Sequence, residues 1–344
     1  MVIAICAVIA GANTWVGIET YGNSKYQWLK KFLELPNKIP SHDTFARVFA
    51  RINPEQFQEC FLNWIKSIQK ITGGEIVAID GKKIRHSYDK GEGKAAIHKV
   101  SAWAGSQHLV LGQRKVDKKS NEITAIPELI KVLELAGCIV TIDAMGCQKS
   151  IVKLIASQDA DYVITVKKNQ GNLYKSIEEL FQEAIRNRLE GFISSSYQTE
   201  EFSHGREEIR NYLMLSNIRE RVDPTHKWEK LQSIGMVESV RTQDGKTTVE
   251  IRYYISSLPN DAQKLGHAIR SHWGIENQLH WVLDVAFNED KCRIRKDNAP
   301  QNFAVLRHLA MNLLKREKTA KVGFENKRLR AGWDNDYLEK VLVN

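Results

Sequence analysis

Two aspartates each follow a short run of apolar residues, at the point where such a run would end as a β-strand. Asp80 ends the run GEIVAID, and Asp143 ends the run CIVTID. Carboxyl ends of strands are where α/β sheets place their sites, and neighbouring strands lie about 5 Å apart. Two such carboxylates can share Mg²⁺, or Mn²⁺ as a substitute, and paired ions can support phosphodiester cleavage. Taken singly, Asp80 also fits a turn and Asp143 a helix N-cap.

A third carboxylate, Glu276, lies in the run SHWGIENQLHWVLDVAFNED. On an α-helix, His272, Glu276, His280 and Asp284 would form one polar stripe at four-residue spacing, beside two tryptophans. That pattern favours a functional face over an ordinary amphipathic helix. The same two histidines and Glu276 have a spacing that suits zinc. However, HEXXH is absent, and two strand-end aspartates fit Mg²⁺ better.

The elements that would position these residues follow from the periodicity of the sequence. Residues 1–72 predict a small domain of short helices that either binds DNA or only packs. Residues 73–189 predict the order β, β, β, α, β, α, β, α, which implies an α/β fold with a mixed sheet. Residues 190–258 alternate like antiparallel strands and form a β-rich insertion. Residues 259–344 predict the helical remainder of the core and a basic C-terminal region.

Charge favours a polyanionic partner. The chain has 50 Lys and Arg against 41 acids, a net charge of +9, which favours nucleic acid, with a membrane surface as the alternative. Residues 291–330 hold twelve Lys or Arg and three acidic residues. Residues 81–99 hold six Lys or Arg and two acidic residues. Such runs track a DNA backbone or form solvated faces.

The cysteines and the apolar N-terminal residues indicate the cellular compartment in which the protein is expected. Five cysteines without a CxxC pattern favour a reducing compartment, so we expect a cytoplasmic, bacterial protein that meets the nucleoid when it binds DNA. The apolar run over residues 1–12 is too short to span a bilayer. Its abrupt start leads us to expect that an upstream segment is missing.

Several cations are candidates for phosphate contacts. Lys82 and Lys83 follow Asp80, while Lys167 and Lys168 end the strand after the second aspartate. If the sheet is as predicted, these lysines line one edge and can bind phosphates. The alternative is that they are solvated surface lysines.

A second group of candidates lies further along the chain. His204, Arg206, Glu208 and Arg210 alternate, so they share one face of a predicted strand. That face is either ion-paired or in contact with DNA. Arg293, in the basic run near the C-terminus, is a further candidate for DNA binding.

The motifs IDGK, TIDAMGCQ, KKNQ, HGRxExR and HWGIENQLHWVLDVAFNEDKCR together resemble the ISAs1 branch of insertion-sequence transposases, which includes the H-repeat-associated proteins. The resemblance covers nearly the whole chain. It implies an RNase H-like core of the DDE type, with Asp80, Asp143 and Glu276 as catalytic residues and metal ligands. The 133 positions between Asp143 and Glu276 hold a β-rich insertion that related transposases carry at this place.

The resemblance also implies an activity. We expect a DDE transposase that binds its element's ends as a homodimer or higher multimer, cuts DNA with Mg²⁺ and joins the freed 3′-OH to target DNA. The alternatives are a nuclease of the same fold, a decayed transposase that only binds DNA, and a zinc hydrolase. The broader family has a Tyr, an Arg and a Lys around its Glu, where this chain has Ile269, His272 and Leu283. Arg270, His272 and Lys291 are the candidates to replace them.

Overall fold

Segments that are distant in sequence build two separate units. The computed structural model describes residues 1–69, 73–88, 95–116, 121–203 and 205–343. Unit 1 comprises Met1–Gln69, Gly81–Asn121 and Glu276–Asn344, and unit 2 comprises Lys70–Asp80 and Glu122–Ile275. These two units are defined by the contacts between residues. The predicted division into residues 1–72, 73–189, 190–258 and 259–344 stays a prediction.

Strands and helices occur where the sequence pattern predicts them. In chain order the strands are β1 (Ile76–Lys83), β2 (His98–Ala104), β3 (Leu109–Lys115), β4 (Ile139–Ile142), β5 (Asp161–Val166), β6 (Ile193–Ser203), β7 (Arg206–Ser216), β8 (Ser233–Gln243) and β9 (Lys246–Ser256). The helices are α1 (Val2–Ile9), α2 (Trp15–Ser24), α3 (Tyr26–Leu29), α4 (His42–Arg51), α5 (Pro54–Ile68), α6 (Glu122–Ile130), α7 (Lys149–Ala156), α8 (Gly171–Arg186), α9 (Arg219–Val222), α10 (Ala262–Gly274), α11 (Trp281–Val285), α12 (Ala299–Arg316), α13 (Phe324–Trp333) and α14 (Asn335–Val343). The predicted α/β fold, its β-rich insertion and its helical N-terminal region are thereby confirmed.

Unit 2 is a mixed sheet whose spatial order is β1-β4-β5-β9-β8-β7-β6. The pairs β1–β4 and β4–β5 are parallel, and the pairs from β5 to β6 are antiparallel. Strands β8 and β9 are joined by Asp244 and Gly245, which have φ values of 50° and 73°. Two left-handed residues are what a two-residue hairpin turn of the primed type requires. The insertion therefore extends the sheet as a regular antiparallel meander.

Helix α10 packs its apolar face on the sheet of unit 2. Leu265, Ala268 and Ile269 are buried there with Tyr212 and Val237 from the strands. These residues follow the three- and four-residue spacing of a helix face. The packing fixes the direction in which α10 presents the residues at its C-terminal end.

Unit 1 is organised around α12, most of which is buried. Asn312 on this helix donates a hydrogen bond to the carbonyl of Val110 and accepts one from its amide, both at 2.9 Å. Asn302 donates to the carbonyls of Phe49 and Ile52 at 2.8 and 3.0 Å. Buried amide groups that satisfy a backbone in this way fix one packing arrangement. They attach the end of α4 and the β2–β3 hairpin to the central helix.

A buried charge cluster lies beside α12. The carboxylate of Glu289, which is fully buried, lies 2.8 Å from the Lys99 ammonium, 3.2 Å from that of Lys82 and 3.9 Å from the Arg307 guanidinium. Burial acts to raise the pKa of Glu289, but these cations outweigh burial and hold it well below its usual range. Burial also lowers the pKa of His308 well below its ordinary value, so that this neighbour is neutral. One carboxylate is therefore shared by three interior cations and stabilises their charges.

Replacing Glu289 by Gln should strongly destabilise the fold. The change leaves Lys99, Lys82 and Arg307 buried without that negative charge, and such a loss costs about 3–5 kcal/mol. Urea denaturation at pH 7 measures the free energy of unfolding. Glu128→Gln is the control, because Glu128 forms an exposed pair with Lys131, and such pairs contribute about 0–1 kcal/mol. Equal small losses in the two variants would contradict the role given to Glu289.

Candidate active site

The two aspartates lie side by side in unit 2. Asp143 follows the end of β4, as predicted, whereas β1 continues past Asp80 to Lys83. Strands β1 and β4 are parallel, and Ile79 is paired with Ile142. Asp80 and Asp143 are the next residues on each strand, at the same level of the sheet, and both are half-buried. Neighbouring strands are about 5 Å apart. The backbone register therefore places the two residues side by side, and a joint role for their carboxylates stays a prediction.

Asp143 also shapes the loop that follows it. Its carboxylate accepts a hydrogen bond from the amide of Met145 at 3.0 Å, which caps a 3₁₀ turn at Ala144–Gly146. The N-cap alternative is thus correct as a local description. A carboxylate has two oxygens and about four acceptor sites, so the cap leaves acceptor capacity for a metal ion.

The motif KKNQ holds this loop in place, a role that the sequence did not reveal. Asn169 donates a hydrogen bond to the carbonyl of Ala144 at 2.9 Å, and Gln170 donates to that of Cys147 at 2.6 Å. Side chains that fix a ligand-bearing loop orient the ligand itself. The sequence signal for this role was limited to two polar residues, Asn169 and Gln170, directly after the lysine pair that follows β5.

Cations lie just beyond the end of β5, on the side of the sheet towards which β4 also runs. Ile164 of β5 is paired with Ile142, and the chain leaves β5 after Val166 with Lys167 and Lys168 exposed. On β9, Arg252 follows in the same direction, because Tyr253 is paired with Val166. This edge of unit 2 therefore combines carboxylates with cations, as a site for metal ions and phosphates requires.

Arg252 was not predicted from the sequence. Its guanidinium lies over the ring of Trp273, 5.3 Å from the ring centre, and its Nε donates to Glu250 at 2.8 Å. The tryptophan that sequence reasoning placed beside a polar stripe thus fixes an arginine. A single arginine in an alternating strand carries no signal of that contact.

His272 packs against the strand that carries Asp143. Its Nδ1 lies 3.0 Å from the hydroxyl of Thr141. Burial lowers the pKa of His272 to about 4, although the carboxylate of Asp143 acts in the opposite direction. The imidazole is therefore neutral at pH 7. It can exchange hydrogen bonds with a phosphate, but it cannot supply positive charge to one.

Glu276 lies in a π-helical segment, Ile275–His280, between α10 and α11, and it is exposed. A π-helix bonds residue i to i+5 and occurs frequently at functional sites. The predicted polar stripe assumed the four-residue spacing of an α-helix, and the π-helical segment changes which of its residues share a face. Asp284, the last member of the predicted stripe, bonds the ammonium of Lys82 at 2.5 Å.

The structure bears on the zinc alternative and on the choice of metal ion. Within the ranges that the structure describes, no three His, Cys, Asp or Glu residues are grouped so that they could hold a metal ion. The zinc alternative with His272, Glu276 and His280 therefore gains no support. Mg²⁺ is commonly held by one or two carboxylates, its other positions being filled by water and substrate phosphates, so the pair Asp80 and Asp143 fits that ion.

The other predicted phosphate contacts fall into two groups. Lys83 and Arg293 are exposed, whereas Lys82 is buried and engaged by Asp284 and Glu289. Because these two carboxylates neutralise the charge of Lys82, Lys83 is the better candidate for a phosphate contact. Contact with DNA stays a prediction for all of them.

An acidic and basic network covers the end of the β6–β7 hairpin in unit 2. Glu208, almost fully buried, contacts Arg210 at 2.7 Å and Arg206 at 3.3 Å. Glu201 contacts Arg270 at 2.9 Å. The ion-paired alternative describes this face, and DNA contact by Arg206 and Arg270 stays a prediction. His204 lies outside the described residues.

A mixed sheet with helices packed on it, and two aspartates side by side on adjacent parallel strands, define an α/β protein with a candidate metal site. Residues 71–313 match the family described as "Transposase DDE domain", and residues 1–65 match "DDE_Tnp_1-associated". The chain therefore belongs to the DDE transposase domain family.

Named relatives agree with that membership. The chain is 45% identical to "Putative protein YbfL" of Escherichia coli K12, covering 100% of this chain and 91% of the relative. It is 44% identical to "H repeat-associated putative transposase YhhI" of the same strain, with the same coverage. The resemblance to H-repeat-associated proteins is thereby confirmed. A solved piggyBac transposase synaptic complex with hairpin DNA shares 13% identity at a TM-score of 0.45, covering 99% of this chain and 71% of that one; at that distance it carries no argument.

Two further observations concern the chain as a whole. Among the helices that the structure describes, none has the length and apolarity needed to cross a bilayer. The five cysteines are free thiols, and Cys147, close to Asp143, is buried. Burial raises the pKa of Cys147 to about 12, so it is not a nucleophile at neutral pH.

The neutral state of His272 gives a testable pH dependence. Its folded pKa is about 4 against an ordinary value of 6.5, so its contribution to stability is complete above pH 6.5 and is lost as pH falls towards 4. The unfolded chain takes up a proton there that the folded chain does not. Between pH 7 and pH 5, we expect the free energy of unfolding to fall by on the order of 1–2 kcal/mol more in the wild type than in His272→Gln.

Urea denaturation at the two pH values measures this difference. His267→Gln is the control, since His267 is an exposed histidine on the same helix. It should keep the pH dependence of the wild type. An identical pH dependence in the wild type and in His272→Gln would show that His272 is not held neutral by burial.

Proposed function

We propose that the protein is a DDE transposase of the ISAs1 group, which cleaves DNA at the ends of an insertion sequence and transfers the freed strand to target DNA. The observation that carries the proposal is the pairing of Asp80 and Asp143 on adjacent parallel strands, in a chain that belongs to the DDE transposase domain family. The relative named "H repeat-associated putative transposase YhhI", matched over 91% of its length, supports it.

Asp80 and Asp143 would hold Mg²⁺, or Mn²⁺ in its place, through their carboxylate oxygens. When bound, such ions activate an attacking oxygen and stabilise a leaving one. Asp143 is oriented by its cap to Met145 and by the loop that Asn169 secures. Glu276 is proposed as the third carboxylate, because it is exposed in a π-helical segment and matches the family's Glu in the motif GIENQLHW.

DNA binding would rest on exposed cations. Lys167 and Lys168 leave the sheet beside Asp143. Arg252, on the next strand, is half-buried and paired with Glu250, so it would contribute less. Lys83 and Arg293 are further exposed cations. Phosphate contacts of this kind give affinity without sequence specificity and orient the duplex. The partners proposed are the element's ends and target DNA, bound by a homodimer or higher multimer in the bacterial cytoplasm.

Cleavage of a supercoiled plasmid that carries the element's flanking ends tests the proposal, in Mg²⁺ and in Mn²⁺. Asp143→Asn removes the charge but keeps a residue that is equally good as an N-cap, so the loop should persist. We expect cleavage to fall by about two orders of magnitude or more, as when a group that stabilises developing charge is lost. Asp159→Asn is the control, because Asp159 is an exposed turn residue in unit 2 with φ of 55°, a conformation that Asn tolerates.

The products separate the alternatives. Joined DNA would identify a transposase, whereas cleavage without joined DNA would identify a nuclease of the same fold. Retained cleavage in Asp143→Asn would overturn the site. A folded wild type that binds the ends without cutting them in either metal would favour a transposase-derived binding protein.

Metal content gives an independent check. The protein purified without chelators should contain much less than one zinc per chain, because the paired ligands are hard oxygens from Asp80 and Asp143. Atomic emission on the wild type and on His280→Ala measures it. Stoichiometric zinc that disappears in the variant would replace the magnesium assignment with the zinc hydrolase.

A further inference from the structure

Helix α4 in unit 1 is buried on one face and exposed on the other. Phe45 and Phe49 lie on the buried face, and the ring centre of Phe49 lies 5.1 Å from that of Trp15 on α2. The opposite face follows the three- and four-residue spacing of a helix, and its row of side chains comprises Thr44, Arg47, Val48 and Arg51. Thr44 is half-buried, and the other three residues of this outward row are exposed.

The two arginines of the outward row carry charge that no carboxylate of the described ranges engages. Neither Arg47 nor Arg51 has an ion-pair partner there. The carboxylates of Glu19 and Asp43, near the start of the helix, lie instead against the ring of His42, at 2.7 and 3.6 Å. Exposed guanidinium groups without a carboxylate beside them are available to a polyanion.

Hydrogen bonds hold α4 at both ends. At its start, the amide of His42 donates to the carboxylate of Glu19 on α2 at 2.9 Å. At its end, Asn302 on the buried helix α12 donates to the carbonyls of Phe49 and Ile52. Recognition groups are placed most precisely when they lie on rigid elements. The outward row therefore has a fixed direction in unit 1.

A further exposed cation lies close to the C-terminal end of α4. The amide of Asn298 donates to the carbonyl of Ala50 at 3.4 Å, and its side chain donates to the carbonyl of Ile52 at 3.3 Å. Lys296, two positions before Asn298 in the basic run, is exposed. Positive charge therefore lies beyond the end of the helix as well as along its outward row.

The outward row has the dimensions and the chemistry of a surface that fits the major groove of DNA. From Thr44 to Arg51 the helix rises about 10 Å, which corresponds to about three base-pair steps. A helix with its side chains is about 10–12 Å across, and the major groove is about 12 Å wide. Guanidinium groups bind O6 and N7 of guanine, and the methyl groups of Thr44 and Val48 suit that of thymine. This combination suits base edges as well as phosphates.

The next helix, α5, has the opposite character. Its exposed positions include Glu55 and Glu59, and carboxylates there would be repelled by DNA phosphates. Among these two consecutive helices, charge complementarity therefore favours α4 as the one that meets DNA.

We propose that α4 enters the major groove of double-stranded DNA, where Arg47 and Arg51 contact base edges, and that Lys296 contacts a neighbouring phosphate. The identity of that DNA, the ends of the element, rests on the proposed function. The inference assigns sequence recognition to a helix of unit 1, separate from the pair of aspartates in unit 2.

Binding of the full chain to matched duplexes tests the contact with base edges. Fluorescence anisotropy compares labelled duplexes that cover the sequence flanking the gene with shuffled duplexes of the same composition, for the wild type, Arg47→Lys and Arg51→Lys. Lysine keeps the charge but lacks the planar fork that binds guanine through two hydrogen bonds. We expect the preferred flanking duplex to bind about tenfold or more weakly in each variant, with little change for the shuffled duplex. Both arginines are exposed, and thermal unfolding verifies that the variants are folded.

The salt dependence of binding tests the phosphate contact. Lys296→Gln should lower the slope of log affinity against log salt by about 0.9 on both kinds of duplex, and it should keep the preference for the flanking sequence. Lys175→Gln is the matched control, because Lys175 is an exposed lysine on α8 that lies 3.7 Å from Glu179. It should leave both the slope and the preference unchanged.

The outcomes separate the parts of the proposal. Loss of the preference in both arginine variants supports the contact of α4 with base edges. Equal weakening on flanking and shuffled duplexes, or a wild type without any preference, would overturn that contact. Unchanged binding to every duplex in both variants would overturn the proposal and favour an acidic protein as the partner of this face. An equal change of slope in Lys296→Gln and Lys175→Gln would overturn the role of Lys296.

This test is independent of the proposed cleavage activity. Asp143→Asn leaves the outward row intact, so it should retain the wild-type preference for the flanking duplex. If the arginine variants keep that preference while Asp143→Asn loses cleavage, the role of α4 is wrong and the proposed function stands. If the arginine variants lose the preference while Asp143→Asn still cleaves, the carboxylate site is wrong and the role of α4 stands.

Discussion

The parallel register of β1, β4 and β5 is the constraint on which the candidate active site depends. Ile79, Ile142 and Ile164 lie at one level across three strands, so Asp80 and Asp143, which follow the first two, lie together at the next level. A shift of one residue would turn Asp80 or Asp143 to the other face of its strand. The apolar runs that precede these aspartates hold both strands inside the sheet, because strands of this kind are buried on both faces. Hydrophobic burial therefore determines the geometry of a polar site.

Local pattern was enough to predict most of the fold and the first half of the site. Strand runs ending in aspartate, and helices between them, are signals carried by about ten neighbouring residues. The pairing of Asp80 with Asp143 followed because parallel strands expose their ends at one edge. Asn169 and Gln170 could not be assigned, because their acceptors are carbonyls 25 and 23 positions away, and backbone groups leave no trace in the side-chain pattern.

The polar stripe around Glu276 shows a different limit. Four-residue spacing assumes an α-helix, and Ile275–His280 is π-helical, which changes the residues that share a face. Nothing in side-chain periodicity reports a change of backbone hydrogen bonding. Lys82 shows the same limit for charge, because Asp284 and Glu289, the partners that neutralise it, lie about two hundred positions further along the chain. A lysine next to an exposed lysine carries no sign that it is buried.

Net charge overstates how many cations are free to meet DNA. Glu208 holds Arg206 and Arg210, and the buried Glu289 is shared by three cations of unit 1. These contacts stabilise the fold locally, and each shared carboxylate cancels part of the positive charge around it. The attraction for a polyanion must then come from cations that the structure leaves exposed, such as Lys167 and Lys168. Since these lysines leave the sheet at the edge where Asp143 ends β4, the charge that draws DNA and the carboxylates that would cut it share one sheet edge.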